Sequence, residues 1–128
     1  MESEPSLEEL QGRMARLLLH VVFMTPTDRF RSGTAEENRE ISRQHLLYLR
    51  HLEETGKLFG VGPLDSGLTQ GRLEGMCILL TSSREEAESL AQDDPWHKLG
   101  WRVNTVRSWT INEGVGVPLA KSIVQPDA

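Results

Sequence analysis

The chain has 128 residues, 26% of them charged, and a formal net charge of −5. That length makes one domain with a real core and excludes two. The acidic balance, without any basic run, excludes a field that would draw in nucleic-acid phosphates or anionic lipid.

Ser6-Leu7-Glu8-Glu9 fits a capping box, with Ser6 as N-cap and Glu9 three residues on. Leu7, Leu10 and Met14 follow at helical spacing, so residues 1–15 read as a helical extension packed on the edge of the domain. The segment lacks the basic-then-apolar pattern of a secretory leader. No apolar run approaches the ~20 residues that cross a bilayer. A single cysteine, Cys77, excludes an internal disulfide and suits a reducing compartment. A cytoplasmic protein is expected, with neither membrane nor nucleic acid as partner.

Residues 16–24 are apolar at nearly every position, which predicts a strand covered on both faces. Pro26 and Gly33 make residues 25–33 a loop. Residues 35–55 read as a helix, with Ile41, His45, Tyr48, Leu49 and Leu52 on one stripe and Arg43, Leu47, Arg50 and Glu54 roughly opposite. Gly56 supplies its stop. Leu58 to Leu64 makes a short strand, and Pro63 assigns it to a sheet edge. A turn around Asp65-Ser66-Gly67 leads to a strand over 72–81, again apolar on both faces from Met76 to Leu80. In that run Cys77 reads as inert core.

Ser82 or Ser83 caps the next helix, and Glu85 and Glu86 in its first turn suit the helix dipole. Ala87, Leu90, Ala91 and Asp94 mark its buried side, and Pro95 ends it. Residues 101–112 form the last strand, with Trp101, Val103, Thr105, Arg107, Trp109 and Ile111 on one face. The tail, 114–128, reads as irregular.

The order is βαββαβ, an α+β ferredoxin-like antiparallel sheet over residues 16–113. Its two doubly apolar strands are the first and third, which this topology places at the centre. Two helices cover one face only. A second copy is the simplest cover for the other, so a homodimer is expected.

Several segments together resemble the YCII-related (YciI-like) family. They are Arg43-Gln44-His45-Leu46 with Leu49, Gly56-Lys57-Leu58 leading to Gly62-Pro63, the apolar third strand, Ala91-Gln92-Asp93-Asp94-Pro95, and Trp109 with Asn112-Glu113. They occur in the right order across most of the chain. The resemblance implies a dimeric α/β barrel, akin to muconolactone isomerase-type folds. It also implies an active site built on a His and an Asp, here His45 and Asp94. A few relatives are linked to dehydrochlorination of chlorinated hydroxyquinols, and most have no assigned reaction. The N-terminal helix, the 25–34 loop and the C-terminal tail depart from compact members, so a substrate does not carry over.

His45 and Asp94 are thus the candidate catalytic pair. An imidazole takes and returns a proton near neutral pH. A carboxylate on one ring nitrogen would fix the tautomer and turn the other towards a pocket. The plainer alternatives are a core histidine satisfied by a carbonyl, and a turn aspartate before Pro95. Candidate substrate-binding residues are Tyr48, Gly62, Pro63, Trp96 and Arg107. Tyr48 reads more simply as core, Trp96 as a core or dimer contact, and Arg107 as a charge that needs an acidic partner or a ligand carboxylate. His20, His51 and His97 lack metal-ligand spacing, so neither metal nor other cofactor is expected. The functional expectation is a small cofactor-independent enzyme of isomerase or lyase type, acting through the His–Asp pair on a small cyclic or aromatic molecule. The alternatives are a non-catalytic metabolite-binding or accessory module, and a dimerisation domain in which His45 is merely packed.

Overall fold

The computed structural model describes residues 3–65 and 74–125. Four antiparallel strands form one sheet: β1 (Leu17–Pro26), β2 (Leu58–Pro63), β3 (Gly75–Leu79) and β4 (Arg102–Ile111). Their order, β2-β3-β1-β4, is the ferredoxin-like arrangement, with the two most apolar strands inside and Pro63 on an edge strand. The turn expected at 65–67 and the start of the strand expected from residue 72 lie largely outside the described residues.

Strand parity decides what each face does. Val22 and Met24 of β1, with Cys77 and Leu79 of β3, point towards the two main helices, α3 (Ala35–Glu54) and α4 (Arg84–Gln92). Leu52, Ala87 and Ala91 close over them. Each large apolar side chain buried there is worth roughly 1.5–3 kcal/mol. Cys77 is core, as expected, and burial pushes its thiol pKa up to about 12.

The ends of α3 explain its precision. Thr34 accepts from the Glu37 N–H, and the Glu37 carboxylate accepts from the Thr34 N–H, a complete capping box. At the far end Gly56 takes φ 74, where a side chain would be strained. Lys57 N–H reaches Leu52 O and Gly56 N–H reaches Glu53 O, so the last carbonyls are satisfied.

Three expectations need correction. The 25–33 segment is not a plain loop: β1 runs on to Pro26, and α2 (Asp28–Ser32) follows, burying Phe30 with Ile41, Trp96 and Trp101. Trp101 therefore belongs to that cluster and precedes β4, rather than sharing the exposed face of Val103 and Trp109. The tail is not irregular either. Pro118 sits in the first turn of α6 (Val117–Val124), where its missing N–H is harmless. Ala120 then packs against Leu17, Leu19 and Leu80 on the sheet face away from α3. Part of the second face is thus covered from within the chain. The leading helix α1 (Leu7–Gly12) is present, but it buries none of its own residues.

Candidate active site

His45 lies on the buried stripe of α3, and its side chain keeps only 5% exposure. Across from it, Pro95 does more than end α4. It also occupies the first turn of a short helix, α5 (Pro95–Lys98), whose N-cap is Asp94. The cap role aims the Asp94 carboxylate inwards. Oδ1 accepts from the Trp96 N–H at 3.1 Å and lies 2.8 Å from His45 Nδ1. Oδ2 accepts from Asn104 Nδ2 at 3.1 Å, and the same amide donates to Ala91 O at 2.8 Å. A carboxylate held this way is an acceptor at both oxygens. His45 then carries its proton on Nδ1, and Nε2 presents a lone pair.

A stack fixes the imidazole plane. The rings of His45 and Trp96 are 3.9 Å apart and tilted by 9°. The Arg102 guanidinium carbon sits 3.7 Å from the Trp96 ring centre. Two groups this near one ring lie on opposite faces, so Trp96 is clamped between His45 and Arg102. Phe30 meets Trp96 edge-on at 5.6 Å. Burial pushes the Arg102 pKa down to about 10, with the Asp94 charge opposing the fall. The guanidinium is therefore charged at neutral pH, and the buried carboxylate has a cation near it. Gly75 makes room: a Cβ there would lie 2.9 Å from Met24 Cε and 3.3 Å from Arg102 Nη1. Trp96 Nε1, Arg102 Nε and Asn104 Oδ1 are buried without a hydrogen-bond partner among the described residues.

Of the residues expected at the site, His45, Asp94 and Trp96 come together. Tyr48 packs beside the main core, and its hydroxyl donates to Leu90 O at 2.7 Å, with burial raising its pKa. With Asp94 and Asn104 it lines a cavity of only ≈10 Å³. Gly62 and Pro63 are in edge strand β2, opposite Met76 and Gly75. Arg107 pairs with Val21 on the face away from Asn104, so it does not meet His45. Asp93 is exposed, and Arg43 pairs with Glu40 at 3.3 Å on the surface. Arg102 and Asn104 were missed. Their signal was parity: they fill the alternate positions of β4, the face that meets the helices. Among the described residues no three His, Cys, Asp or Glu side chains gather as a metal set, and no helix is long and apolar enough to cross a membrane.

Residues 19–110 match the family described as the YCII-related domain. The chain belongs to that family. The match spans β1 to β4 and so includes the whole His45–Asp94–Trp96–Arg102 cluster. No curated protein matches the chain. Among solved structures it is similar to 5-chloro-2-hydroxyhydroquinone dehydrochlorinase of Burkholderia phenoliruptrix AC1100, in complex with 2,5-dihydroxybenzoquinone. That likeness has a TM-score of 0.54 and 23% identity, covering 72% of this chain and 93% of the other. At such identity it carries the fold alone. The YCII-related fold recognised from the sequence is the fold observed.

Proposed function

We propose that this YCII-related chain is a small enzyme that needs no cofactor, with His45 as general base and Asp94 as its orienting partner. It acts by an isomerase or lyase type of step on a small cyclic or aromatic molecule. The observation that carries this reading is the 2.8 Å contact between His45 Nδ1 and an Asp94 carboxylate that also accepts from the Trp96 N–H and from Asn104 Nδ2.

In the proposed step, Nε2 takes a proton from a phenolic O–H or an acidic ring C–H. The imidazolium so formed is stabilised by Asp94, which keeps its own charge. The electron pair left on the substrate moves into the ring. It then either takes the proton back at another carbon, an isomerisation, or expels a leaving anion, an elimination. The rigid Trp96 stack keeps Nε2 aimed during both transfers. The cavity beside Asp94 holds about one water. The substrate therefore meets His45 on its Nε2 side, outside that cavity, rather than entering between helices and sheet. The similar solved structure, a dehydrochlorinase in complex with a small quinone, supports this choice of substrate class.

The test is turnover of small phenols, lactones and 5-chloro-2-hydroxyhydroquinone, followed by absorbance, with His45→Gln as control. Turnover lost in the variant supports the reading. Binding without turnover in either protein favours a non-catalytic metabolite-binding module instead.

We also infer a homodimer. Val21, Phe23, Met76 and Trp109 share the sheet face away from α3, and α6 packs at the Leu17–Leu80 end of it. A second copy covers the remainder. Light scattering should give twice the chain mass at micromolar concentration. A clean monomer would remove this part of the reading.

A further inference from the structure

The sheet face away from α3 carries charge as well as apolar side chains. Arg107 is on it, opposite Val21 in the β1–β4 register, and is exposed. Val103 and Trp109 share its side of β4 and are 47% and 40% exposed. No ion pair among the described residues engages Arg107. The acid of the same face is Glu74. Gly75 faces the helices, since a Cβ there would meet Met24 Cε and Arg102 Nη1, so Glu74 one residue earlier turns the other way. Leu64 N–H donates to Glu74 O, which continues the β2–β3 ladder and its alternation to Glu74. The other strand positions on this face, among the described residues, are uncharged.

We infer that the two-fold axis of the homodimer passes beside Phe23 and sets Arg107 of each copy against Glu74 of the partner subunit. The placement of the two charges is what selects this docking. Phe23 stands opposite Met76 on one side and Thr105 on the other. Arg107 lies past Thr105, level with Val21; Glu74 lies past Met76, level with Thr25. They are therefore diagonal to each other about Phe23, and a two-fold there exchanges them. An isologous interface makes such a contact twice, since each residue meets the other's counterpart. The end of the face near Leu17 and Leu80 is taken by α6, which leaves the Val21–Thr25 end for the second copy. That copy takes Arg107 out of water, and a guanidinium so placed needs a carboxylate. Dockings that set Arg107 on Met76, or on its own counterpart, leave the charge unpaired or repelled. The pair thus fixes the register of one sheet on the other, while the apolar side chains supply the buried area. This inference rests on the homodimer reading and is independent of the catalytic one.

The test is a charge-reversal cycle read as the dimer dissociation constant in sedimentation. Arg107→Glu and Glu74→Arg should each raise Kd about tenfold or more, and the chain carrying both should return to the native value. A cysteine pair reads the same contact without reversing a charge, so a poorly folding reversal does not end the test. Positions 74 and 107 of one chain are separated by β1, at least ~10 Å across the sheet, too far for a bond within the chain. Cys77 is buried and does not compete. Oxidising a chain with both Arg107→Cys and Glu74→Cys should give a covalent dimer, and neither single variant should. A native dimer indifferent to both reversals, or a double reversal no tighter than the singles, overturns the pair and leaves the dimer standing. A covalent dimer from Arg107→Cys alone also overturns the pair, because the two copies of that position would then face each other. A native chain that is monomeric overturns the dimer and the pair together.

Discussion

The imidazole of His45 lies flat on the indole of Trp96, 3.9 Å between ring centres. One residue comes from the long helix and the other from the short helix that Pro95 starts. That contact, with the Asp94 carboxylate at the imidazole edge and Arg102 beneath the indole, makes a rigid wall of four side chains from three elements. Trp96→Leu should therefore do two things. It should cost about 2–4 kcal/mol in urea unfolding. It should also lower kcat by roughly a hundredfold, through loss of aim. A variant with lowered stability and unchanged kcat would remove the stack from the account.

Asp94 joins three donors from His45, Trp96 and Asn104. Removing it orphans the His45 and Trp96 donors, leaves the Asn104 amide only its bond to Ala91 O, and leaves the Arg102 charge buried alone. Asp94→Ala should destabilise the fold by about 3–5 kcal/mol. Asn104→Ala removes one donor to the carboxylate and should cost about 1–2 kcal/mol. Denaturant midpoints at constant slope check both.

Arg102 and Asp94 are of opposite charge on the same buried cluster. Arg102→Met keeps the volume and removes the charge. The double-mutant cycle with Asp94→Asn should show a coupling of about 1–3 kcal/mol in favour of the native pair. Additive effects would mean that the cation is held only by its packing on Trp96 and Phe30.

His20 gives the fold an acid sensitivity separate from the site. Burial, and then the Arg84 charge, lower its pKa in the folded chain. Its Nδ1 meets Thr81 Oγ1 at 3.1 Å, and that hydroxyl donates to Ser83 O. His20 is therefore held neutral with the proton on Nδ1. A lowered folded pKa means that the unfolded chain binds the proton first. Stability is full above the unfolded value, near 6.5, and falls as pH drops below it. In His20→Gln that part of the slope should vanish. A second loss should follow nearer the carboxylate range, where the Glu86 pKa is lowered by its hydrogen bonds to Lys57 and Ser82.

Truncation separates the two ends. A chain ending at Glu113 loses α6 and exposes Leu17, Leu19 and Leu80, so it should aggregate or unfold at clearly lower denaturant. A chain starting after residue 14 should unfold cooperatively with little loss, since α1 buries nothing of its own. Equal effects from the two cuts would contradict the packing described.

Much of this was legible in the sequence. Strand order followed from which segments are apolar on both faces. The helix at 35–55 followed from its 3.6-residue stripe, and His45 and Asp94 from motif and position. The misses have physical causes. Pro95 reads as a stop because proline cannot continue a helix, but proline equally starts one, and Asp94 before it is a good cap. The tail reads as irregular because Gly114, Gly116 and Pro118 stand at its start. They lead into a helix whose Ala120 is small enough to lie against the sheet. Arg107 reads as a candidate because it shares the face of Trp109. The helices lie on the other.

The central claim is that Asp94 holds the proton of neutral His45 on Nδ1 and leaves Nε2 as the base. Nitrogen-15 spectra of the His45 ring at a pH where it is neutral test this directly. The account predicts a protonated Nδ1 signal, a bare Nε2 signal, and movement of the Nε2 signal alone to its protonated position when the ring is charged. A ring that is bare at Nδ1 and protonated at Nε2 would contradict it, because Asp94 would then be the donor and no base would face the substrate.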